Sequence, residues 1–132
     1  MVFTRRVFIA LAVCLCLTTT LVAGTKNNSE IKVCNNFAFN GVGEPIGVIV
    51  DPSEDLIDLF LAGNATLDDF EREGGLIVAP GACGKFSVRA GDHCVYAIDF
   101  DRLNVFGPRC FYLDENTNIS LGVDADGNII NL

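Results

Sequence analysis

The stretch APGACGKFS, which begins at Ala79, combines glycines, a lysine and a hydroxyl as a phosphate-binding loop does. The pattern of such a loop, G-x-x-x-x-G-K-[ST], requires glycine where this chain has Ala79 and a hydroxyl where it has Phe86. The loop must also lead into a helix, whereas the residues after its lysine alternate as a strand does. We therefore interpret the stretch as a Pro80-Gly81 turn that places Cys83 for a disulfide.

A second group of residues with chemical potential surrounds the single histidine, His93. It adjoins Cys94, but a nucleophilic cysteine needs a free thiol, and Cys94 is predicted to be bonded. Asp99 and Asp101 have the residue type of a glycosidase pair, yet the chain has no tryptophan with which to build a sugar-stacking cleft. We predict a protein with no enzymatic activity and no cofactor, in which His93 is exposed beside a tight turn.

The stretch DADGN, which begins at Asp124, is similar to the start of a calcium-binding loop. An EF-hand has glycine at its sixth position, whereas Gly127 is the fourth residue here. Asp126-Gly127 is better explained as the turn of a hairpin. We predict no dedicated metal centre, and a nonspecific calcium site built from clustered carboxylates stays open as an alternative.

The N-terminal residues predict export from the cytoplasm. Arg5 and Arg6 precede a short apolar run and then small residues, which is the layout of a secretory signal peptide over residues 1–24. An uncleaved signal anchor is the alternative. Residues 25–132 would then form a single domain of about 108 residues, secreted and extracellular. Three glycosylation sequons, at Asn27, Asn64 and Asn118, favour a eukaryotic source.

Cysteine usage supports an oxidising environment. Two cysteines, Cys14 and Cys16, lie in the predicted signal peptide, and an even number remains in the mature chain. An even count in a small exported domain indicates two disulfides, which allow three connectivities, whereas zinc requires closely spaced pairs that are absent here. The remaining cysteines are Cys34, Cys83, Cys94 and Cys110. Our preferred pairing joins Cys34 to Cys83 and Cys94 to Cys110.

The charge balance excludes two classes of partner. The chain has a net charge of -8, and removal of Arg5 and Arg6 with the signal peptide would lower it to -10 because all 17 acidic residues follow them. Such a surface repels the phosphates of nucleic acids and the head groups of anionic membranes. We therefore predict neither nucleic-acid binding nor membrane insertion after signal cleavage.

The pattern of short apolar runs predicts a mainly β domain. About seven or eight runs alternate or are rich in β-branched residues, with Gly, Pro, Asn and Asp at the intervening turns. The runs are IKVCNNFAF with a bend at Asn35 and Asn36, IGVIVD, GLIVAPG, KFSV, HCVYAIDF, RCFYLD, ISLGVD and NIINL. RAGD is predicted to be the tight turn of a hairpin between KFSV and HCVYAIDF. Strands at this spacing with one short helical insertion predict a small antiparallel β-sandwich.

The helical insertion lies between residues 51 and 73. Asp51 is predicted to be the N-cap of a first helix that ends at Gly63, and Thr66 with Asp69 forms the capping box of a second helix that ends at Gly74. The segment contains eight carboxylates and one arginine, so it is the most strongly charged part of the surface.

Apolar residues near this insertion suggest a ligand-binding alternative. Leu56, Leu59 and Phe60 follow helical spacing and would line the wall of a pocket between the helices and the sheet. Phe106 lies in the apolar connection DRLNVFGP, which is either an exposed contact loop or a strand.

Two short motifs carry a family resemblance. VCNN at the end of a first strand and APGAC at the opening of a later one resemble thaumatin-like and related small secreted β-sandwich proteins. The resemblance covers a small part of the chain, which lacks the dense cysteine framework of that family. It implies a sandwich and implies no activity.

These observations lead to three functional hypotheses. The first is a secreted non-enzymatic interaction protein, of effector, venom or defence type, whose partner is another protein or a cell-surface component. The second is a binding module for a small apolar ligand. The third is an acidic, calcium-associated protein of the extracellular matrix.

Overall fold

The computed structural model describes residues 27–132. The predicted signal peptide, with Cys14 and Cys16, lies outside the described residues. Within residues 27–132 no helix is long and apolar enough to cross a membrane.

The described chain is mainly β, as predicted, with its helices inserted between the fourth and fifth strands. The strands are β1 (Ser29–Asn35), β2 (Ala38–Phe39), β3 (Val42–Gly43), β4 (Ile46–Val50), β5 (Leu76–Val78), β6 (Cys83–Val88), β7 (Gly91–Asp99), β8 (Asn104–Leu113), β9 (Asn118–Val123) and β10 (Ile129–Asn131). The helices are α1 (Glu54–Leu61) and α2 (Leu67–Arg72).

Two four-stranded sheets make the sandwich. The first has the order β10-β9-β1-β6 and the second has the order β5-β4-β7-β8, while β2 and β3 form a small separate hairpin. Within residues 27–132 every strand pairing is antiparallel except that of β1 with β9, which is parallel. The two strands of this pair are far apart in sequence, so the connection between them has room for the whole second sheet. The predicted fold class is confirmed, with this one parallel pair added.

The principal core lies between the two sheets. Alternation along β1 directs Ile31 and Val33 inward, and β4 and β7 contribute Val48, Val95 and Ala97 from the opposite sheet. The predicted bend after β1 is also present. Asn35 is buried, and its side-chain NH2 donates to the carbonyls of Glu44 and Val78 at 2.7 and 2.9 Å, so its polar atoms are satisfied inside the fold.

A second core joins the helices to the outer face of the second sheet. Phe60 of α1, Phe70 of α2 and Phe100 meet edge to face, with ring centroids 5.2 to 5.9 Å apart. Ile49 and Ile98 complete the cluster from the sheet side. The described part of the chain therefore has three layers, two sheets and one layer of helices.

The first helix begins two residues later than predicted. Its N-cap is Ser53, whose hydroxyl accepts a hydrogen bond from the Leu56 N–H at 3.2 Å. Asp51 does not cap the helix because its carboxylate accepts hydrogen bonds from His93 and from the Cys94 N–H instead. The capping box of Thr66 and Asp69 on α2 is confirmed.

The predicted hairpin at RAGD is wrong. β6 pairs with β1 in the first sheet, whereas β7 pairs with β4 and β8 in the second, so the chain crosses between sheets at this turn. Both strands present apolar residues to the same inter-sheet core, Phe86 and Val88 from one side and Val95 and Ala97 from the other. A tight turn reverses the direction of the chain. It does not determine whether the two flanking strands pair within one sheet or lie in opposite sheets.

The segment DRLNVFGP is mostly strand. β8 begins at Asn104 and pairs with β7, so Phe106 belongs to a strand, which is the second of the two alternatives for this segment. The hairpin turn at Asp126-Gly127 is present between β9 and β10.

Candidate functional site

Both disulfides join residues that lie directly opposite each other on neighbouring strands. Cys34 pairs with Cys83 across β1 and β6, and Cys94 pairs with Cys110 across β7 and β8. The preferred connectivity is confirmed. Because disulfides persist in oxidising compartments, the two bridges indicate an extracellular or otherwise oxidising environment.

The APGACGKFS stretch delivers one of these cysteines. Ala82 donates its N–H to the Ala79 carbonyl at 3.0 Å, with Pro80 and Gly81 at the centre of the turn and Gly81 at a φ of 79°. This is the geometry of a type II turn, which requires a residue that tolerates positive φ at the third position. The Gly81 N–H also donates to the Asn35 carbonyl at 2.8 Å, which holds the turn beside Cys34.

The candidate ligand-binding residues do not form one site. Leu56 and Phe60 are buried in the core beneath the helices, and Leu59 is 39% exposed on the helix surface. Phe106 lies on the other side of the second sheet, where its ring packs against Phe37 at a centroid distance of 5.3 Å. The filled core at Leu56 and Phe60 counts against a pocket at that position.

The outward side of α1 and α2 is a dense acidic surface, which we call the acidic helical face. Three of the eight carboxylates of residues 51–73 have structural roles. Asp51 bonds to His93 and the Cys94 N–H, Asp69 closes the capping box, and Glu73 accepts hydrogen bonds from the Ser53 N–H and hydroxyl at 2.8 and 2.7 Å. The hydrogen bond from the Thr66 backbone is the main cause that lowers the pKa of Asp69. Five others are exposed and have no hydrogen-bond or ion-pair partner among the described residues. They are Glu54, Asp55, Asp58, Asp68 and Glu71.

Exposed leucines are interspersed with these carboxylates. Leu61 at the end of α1 is 66% exposed and Leu67 at the start of α2 is 48% exposed, while the inward positions Leu56, Phe60 and Phe70 are buried. The helices are therefore firmly anchored by one side, and their other side presents negative charge together with apolar contact area.

His93 is largely covered, with a side-chain exposure of 11%, so the expectation that it is exposed is wrong. Its Nδ1 lies 2.6 Å from Asp51 Oδ2 and its Nε2 lies 2.7 Å from the Arg89 carbonyl oxygen. Only the protonated ring can donate to both acceptors at once. Burial lowers the pKa of His93, but the hydrogen bonds to Asp51 and Arg89 and the charges of Asp51 and Asp92 outweigh it, so the pKa is raised overall.

Sequence reasoning missed an ion-pair cluster around Arg102. Its guanidinium donates to both carboxylate oxygens of Glu44 at 2.8 and 3.1 Å and to Asp99 at 2.8 Å, and it stacks on the Phe39 ring at 3.4 Å. Glu44 and Phe39 are distant from Arg102 in sequence. Only Asp99, three residues before Arg102 in a turn, offered a local signal.

This cluster also bears on the calcium alternative. Carboxylate oxygens of Glu44, Asp99 and Asp101 lie within 4.8 Å of one another, a spacing that suits a cation. Two of the three carboxylates already bond to Arg102, whose charge opposes cation binding at the same position.

The Asp124 carboxylate of the DADGN turn is likewise engaged, by backbone N–H groups of the same turn. Asp124 Oδ1 accepts hydrogen bonds from the Asn128 N–H at 2.9 Å and the Asp126 N–H at 3.0 Å. The Asn128 backbone is the main cause that lowers the pKa of Asp124. The carboxylate therefore stabilises the β9–β10 turn.

The three sequon asparagines, Asn27, Asn64 and Asn118, are exposed. Asn27 precedes β1 and Asn118 begins β9, next to β1 in the first sheet, whereas Asn64 lies between the two helices. Each position is therefore accessible to a glycan.

The sequence matches no protein-family model and no curated protein.

Proposed function

We propose that this protein is a secreted, non-enzymatic interaction protein that recognises a basic surface on another protein or cell-surface component through its acidic helical face. The observation that carries the proposal is the division of the helical layer. Its inner side packs on the sheet through three phenylalanines, and its outer side presents exposed leucines and five carboxylates that have no partner within residues 27–132. A rigid surface of one charge sign attracts partners of the opposite sign and speeds their encounter.

The chemical state of the reactive side chains supports binding rather than catalysis. The four cysteines of the mature chain are bonded in pairs, and both ring nitrogens of His93 are engaged in holding a turn. A bonded cysteine cannot act as a nucleophile, and an imidazole whose two ring nitrogens are both engaged is not free to exchange a proton with a substrate. Effector, venom and defence proteins of small size commonly act by surface recognition, and this chain fits that type.

Secretion is supported by the disulfides, by the accessible sequons and by the signal-peptide pattern of residues 1–24. The mass of the protein recovered from culture medium tests this part. A mature chain that begins near residue 25, with hexose-containing additions at the sequons, is the expected result.

The recognition role is tested by reversing charge on the acidic helical face. The variant Asp55→Lys/Asp58→Lys/Asp68→Lys is compared with Asp114→Lys/Glu115→Lys, which reverses exposed charges on the turn between β8 and β9. Binding of the labelled proteins to intact cells is measured by flow cytometry, and partners are identified by cross-linking. We expect the helical variant to lose at least roughly tenfold in affinity and the control to bind as the wild type does. Equal binding by both variants would remove the acidic helical face from the proposal.

A further inference from the structure

The His93 ring lies between chain segments that come from different sheets. Val95 and Ala97, at alternate positions of the same strand, belong to the inter-sheet core, so His93 also faces the first sheet. Of its two hydrogen-bond partners, Asp51 directly follows β4 of the second sheet and Arg89 directly follows β6 of the first. The ring therefore connects the ends of two strands that do not pair with each other.

The crossover from β6 to β7 depends on this ring. Arg89 and Ala90 lie outside both strands, and within residues 27–132 neither takes part in a backbone–backbone hydrogen bond. The contact of His93 Nε2 with the Arg89 carbonyl oxygen, at 2.7 Å, is the one described hydrogen bond that holds the two crossover residues. A change in the state of the ring therefore acts directly on this segment.

Both ring nitrogens of His93 face acceptors. Nδ1 lies 2.6 Å from Asp51 Oδ2, and Nε2 faces the Arg89 carbonyl oxygen. The protonated ring donates to both, whereas the neutral ring has one N–H and places a lone pair against the other acceptor. The carboxylate is the stronger acceptor because it is charged. The neutral ring therefore keeps its proton on Nδ1, and the Arg89 carbonyl loses its donor.

Asp51 is held in place independently of His93. Its Oδ1 accepts a hydrogen bond from the Cys94 N–H at 2.7 Å, and its own N–H donates to the Cys94 carbonyl at 2.8 Å. The Asp51 side of the link thus keeps its bonds when the ring becomes neutral. Only the Arg89 side, on an exposed segment, is free to move.

The charged groups around His93 determine where this change occurs. Burial is the largest single influence on the pKa of His93 and lowers it, but the hydrogen bonds to Asp51 and Arg89 and the charges of Asp51 and Asp92 together raise it. Loss of the proton therefore takes place above the ordinary value of 6.5. His93 is the single histidine of the chain, and histidine is the side chain that ordinarily changes charge between about pH 5 and 8.

The remaining elements near His93 add few charges. β8 places the uncharged Phe111 directly opposite it. On β6, Val88 precedes the crossover, whose own charged side chain is that of Arg89. Glu73, which follows α2, lines the same groove as Asp51 and adds negative charge on that side.

We propose that His93 is a protonation-dependent link between the two sheets: the charged ring holds the β6–β7 crossover closed, and the neutral ring releases Arg89 while it stays bound to Asp51. The crossover adjoins Val88, which together with Val50 and Asp51 lines a groove of about 370 Å³. Release of the crossover loosens this end of the groove. The proposal goes beyond the recognition role and does not involve the acidic helical face.

The test follows the ring and the crossover by NMR in the mature protein labelled with ¹⁵N and ¹³C. Imidazole ¹⁵N shifts between about pH 5 and 9 give the protonation state and the tautomer of His93. We expect the neutral ring to carry its proton on Nδ1. We expect the order parameters of Arg89 and Ala90, from ¹³Cα relaxation, to fall from about 0.85 to below about 0.6 as the ring loses its charge. A neutral ring protonated on Nε2, or unchanged order parameters, would overturn the proposal.

The decisive variant is Asp51→Asn, which should keep the crossover closed at every pH. Its amide N–H can donate to Nδ1, its oxygen can accept from the Cys94 N–H, and asparagine tolerates the φ of 52° at this position. The neutral ring then carries its proton on Nε2 and continues to donate to Arg89. A crossover that still becomes mobile when the ring of this variant loses its proton would contradict the tautomer argument.

The matched control is Asp92→Asn, since the Asp92 carboxylate has no described hydrogen bond to the ring. We expect it to lower the midpoint of the His93 titration and to leave the opening intact, and a control that stays closed would refute the proposal. If Asp51→Asn does not fold, His93→Gln provides the test, because glutamine gains no proton in this range. Order parameters of Arg89 and Ala90 that still depend on pH in His93→Gln would assign the opening to another group.

Discussion

At the scale of single residues, two ion pairs hold the irregular parts of the chain. Asp51 has a positive φ of 52° and links the end of β4 to His93 and Cys94 on β7. Asp99, which is 2% exposed, accepts hydrogen bonds from the N–H groups of Asp101 and Arg102 and from the Arg102 guanidinium. Buried carboxylates require such partners, because an unpaired charge in the interior is strongly unfavourable.

His93 should make stability depend on pH. Its pKa is raised in the folded protein, so the stabilisation is complete below the ordinary histidine value of 6.5 and is lost as the pH rises through the higher folded-state value. We expect the melting temperature to fall as the pH is raised through this interval, and the fall to be much smaller in His93→Gln. Thermal unfolding followed by circular dichroism at a series of pH values measures both slopes. Identical slopes in the two proteins would contradict this account of His93.

Removal of the Asp99 carboxylate should destabilise the fold. Asp99→Ala leaves the N–H groups of Asp101 and Arg102 without their acceptor and removes one of the two carboxylates that bind the Arg102 guanidinium. We expect a loss of about 2 to 3 kcal/mol in the free energy of unfolding. Asp101→Ala is the control, since its exposed carboxylate has no described bond to Arg102. Urea denaturation of the two variants gives the comparison. Equal losses would show that the Asp99 hydrogen bonds are not the source of the effect.

At the scale of elements, the helical layer depends on one glycine of β4. A β-carbon at Gly47 would lie 2.6 Å from Phe100 and 2.8 Å from Phe70. The strand therefore needs a residue without a side chain at this position if the aromatic cluster is to pack on the sheet. The hydrophobic spacing of α1 predicted an apolar face, and that face is used for this packing.

Gly47→Ala should therefore loosen the helices from the sheet. The added methyl group overpacks the cluster of Phe60, Phe70 and Phe100, and we expect a cost of roughly 1 to 3 kcal/mol. Gly41→Asn is a suitable control because a side chain there meets open space and asparagine tolerates positive φ better than other residues do. Chemical denaturation measures the difference. A Gly47→Ala protein as stable as the control would mean that the cluster can repack without cost.

At the scale of the whole molecule, each disulfide staples one sheet. Cys34–Cys83 joins strands of the first sheet, and Cys94–Cys110 joins strands of the second. Neither bridge crosses the interface between the sheets. The sandwich is therefore held together by its apolar core, which includes Ile31, Val48 and Leu121.

The two disulfides should contribute unequally to the free energy of unfolding. Cys34 and Cys83 are separated by 49 positions and Cys94 and Cys110 by 16. In the chain-entropy description, the larger loop constrains the unfolded chain more. We expect Cys34→Ser/Cys83→Ser to lose about 1 kcal/mol more than Cys94→Ser/Cys110→Ser. Denaturant unfolding of both double variants tests this order, and a reversed order would contradict the entropic explanation.

Much of the local structure could be predicted from the sequence. Alternation identified most of the strands, and Thr66 with Asp69 identified the second helix. Pro80-Gly81 identified the turn before Cys83. Each of these features depends on neighbouring residues. The cysteine pairing was also anticipated. The predicted signal peptide and sequons depend on short linear patterns of the same kind and stay predictions.

The sequence by itself determined which faces are apolar, where the chain turns and how acidic the surface is. Only the tertiary structure decided which apolar faces meet: β6 joins β1 rather than β7, and Phe106 lies on the opposite side of a sheet from Leu56 and Phe60. The contacts of His93 with Asp51 and Arg89 and the Arg102–Glu44 pair are likewise products of that arrangement. The physical reason is that periodicity encodes the direction of a side chain relative to its own backbone, whereas its neighbour across the core is selected by packing of the whole chain.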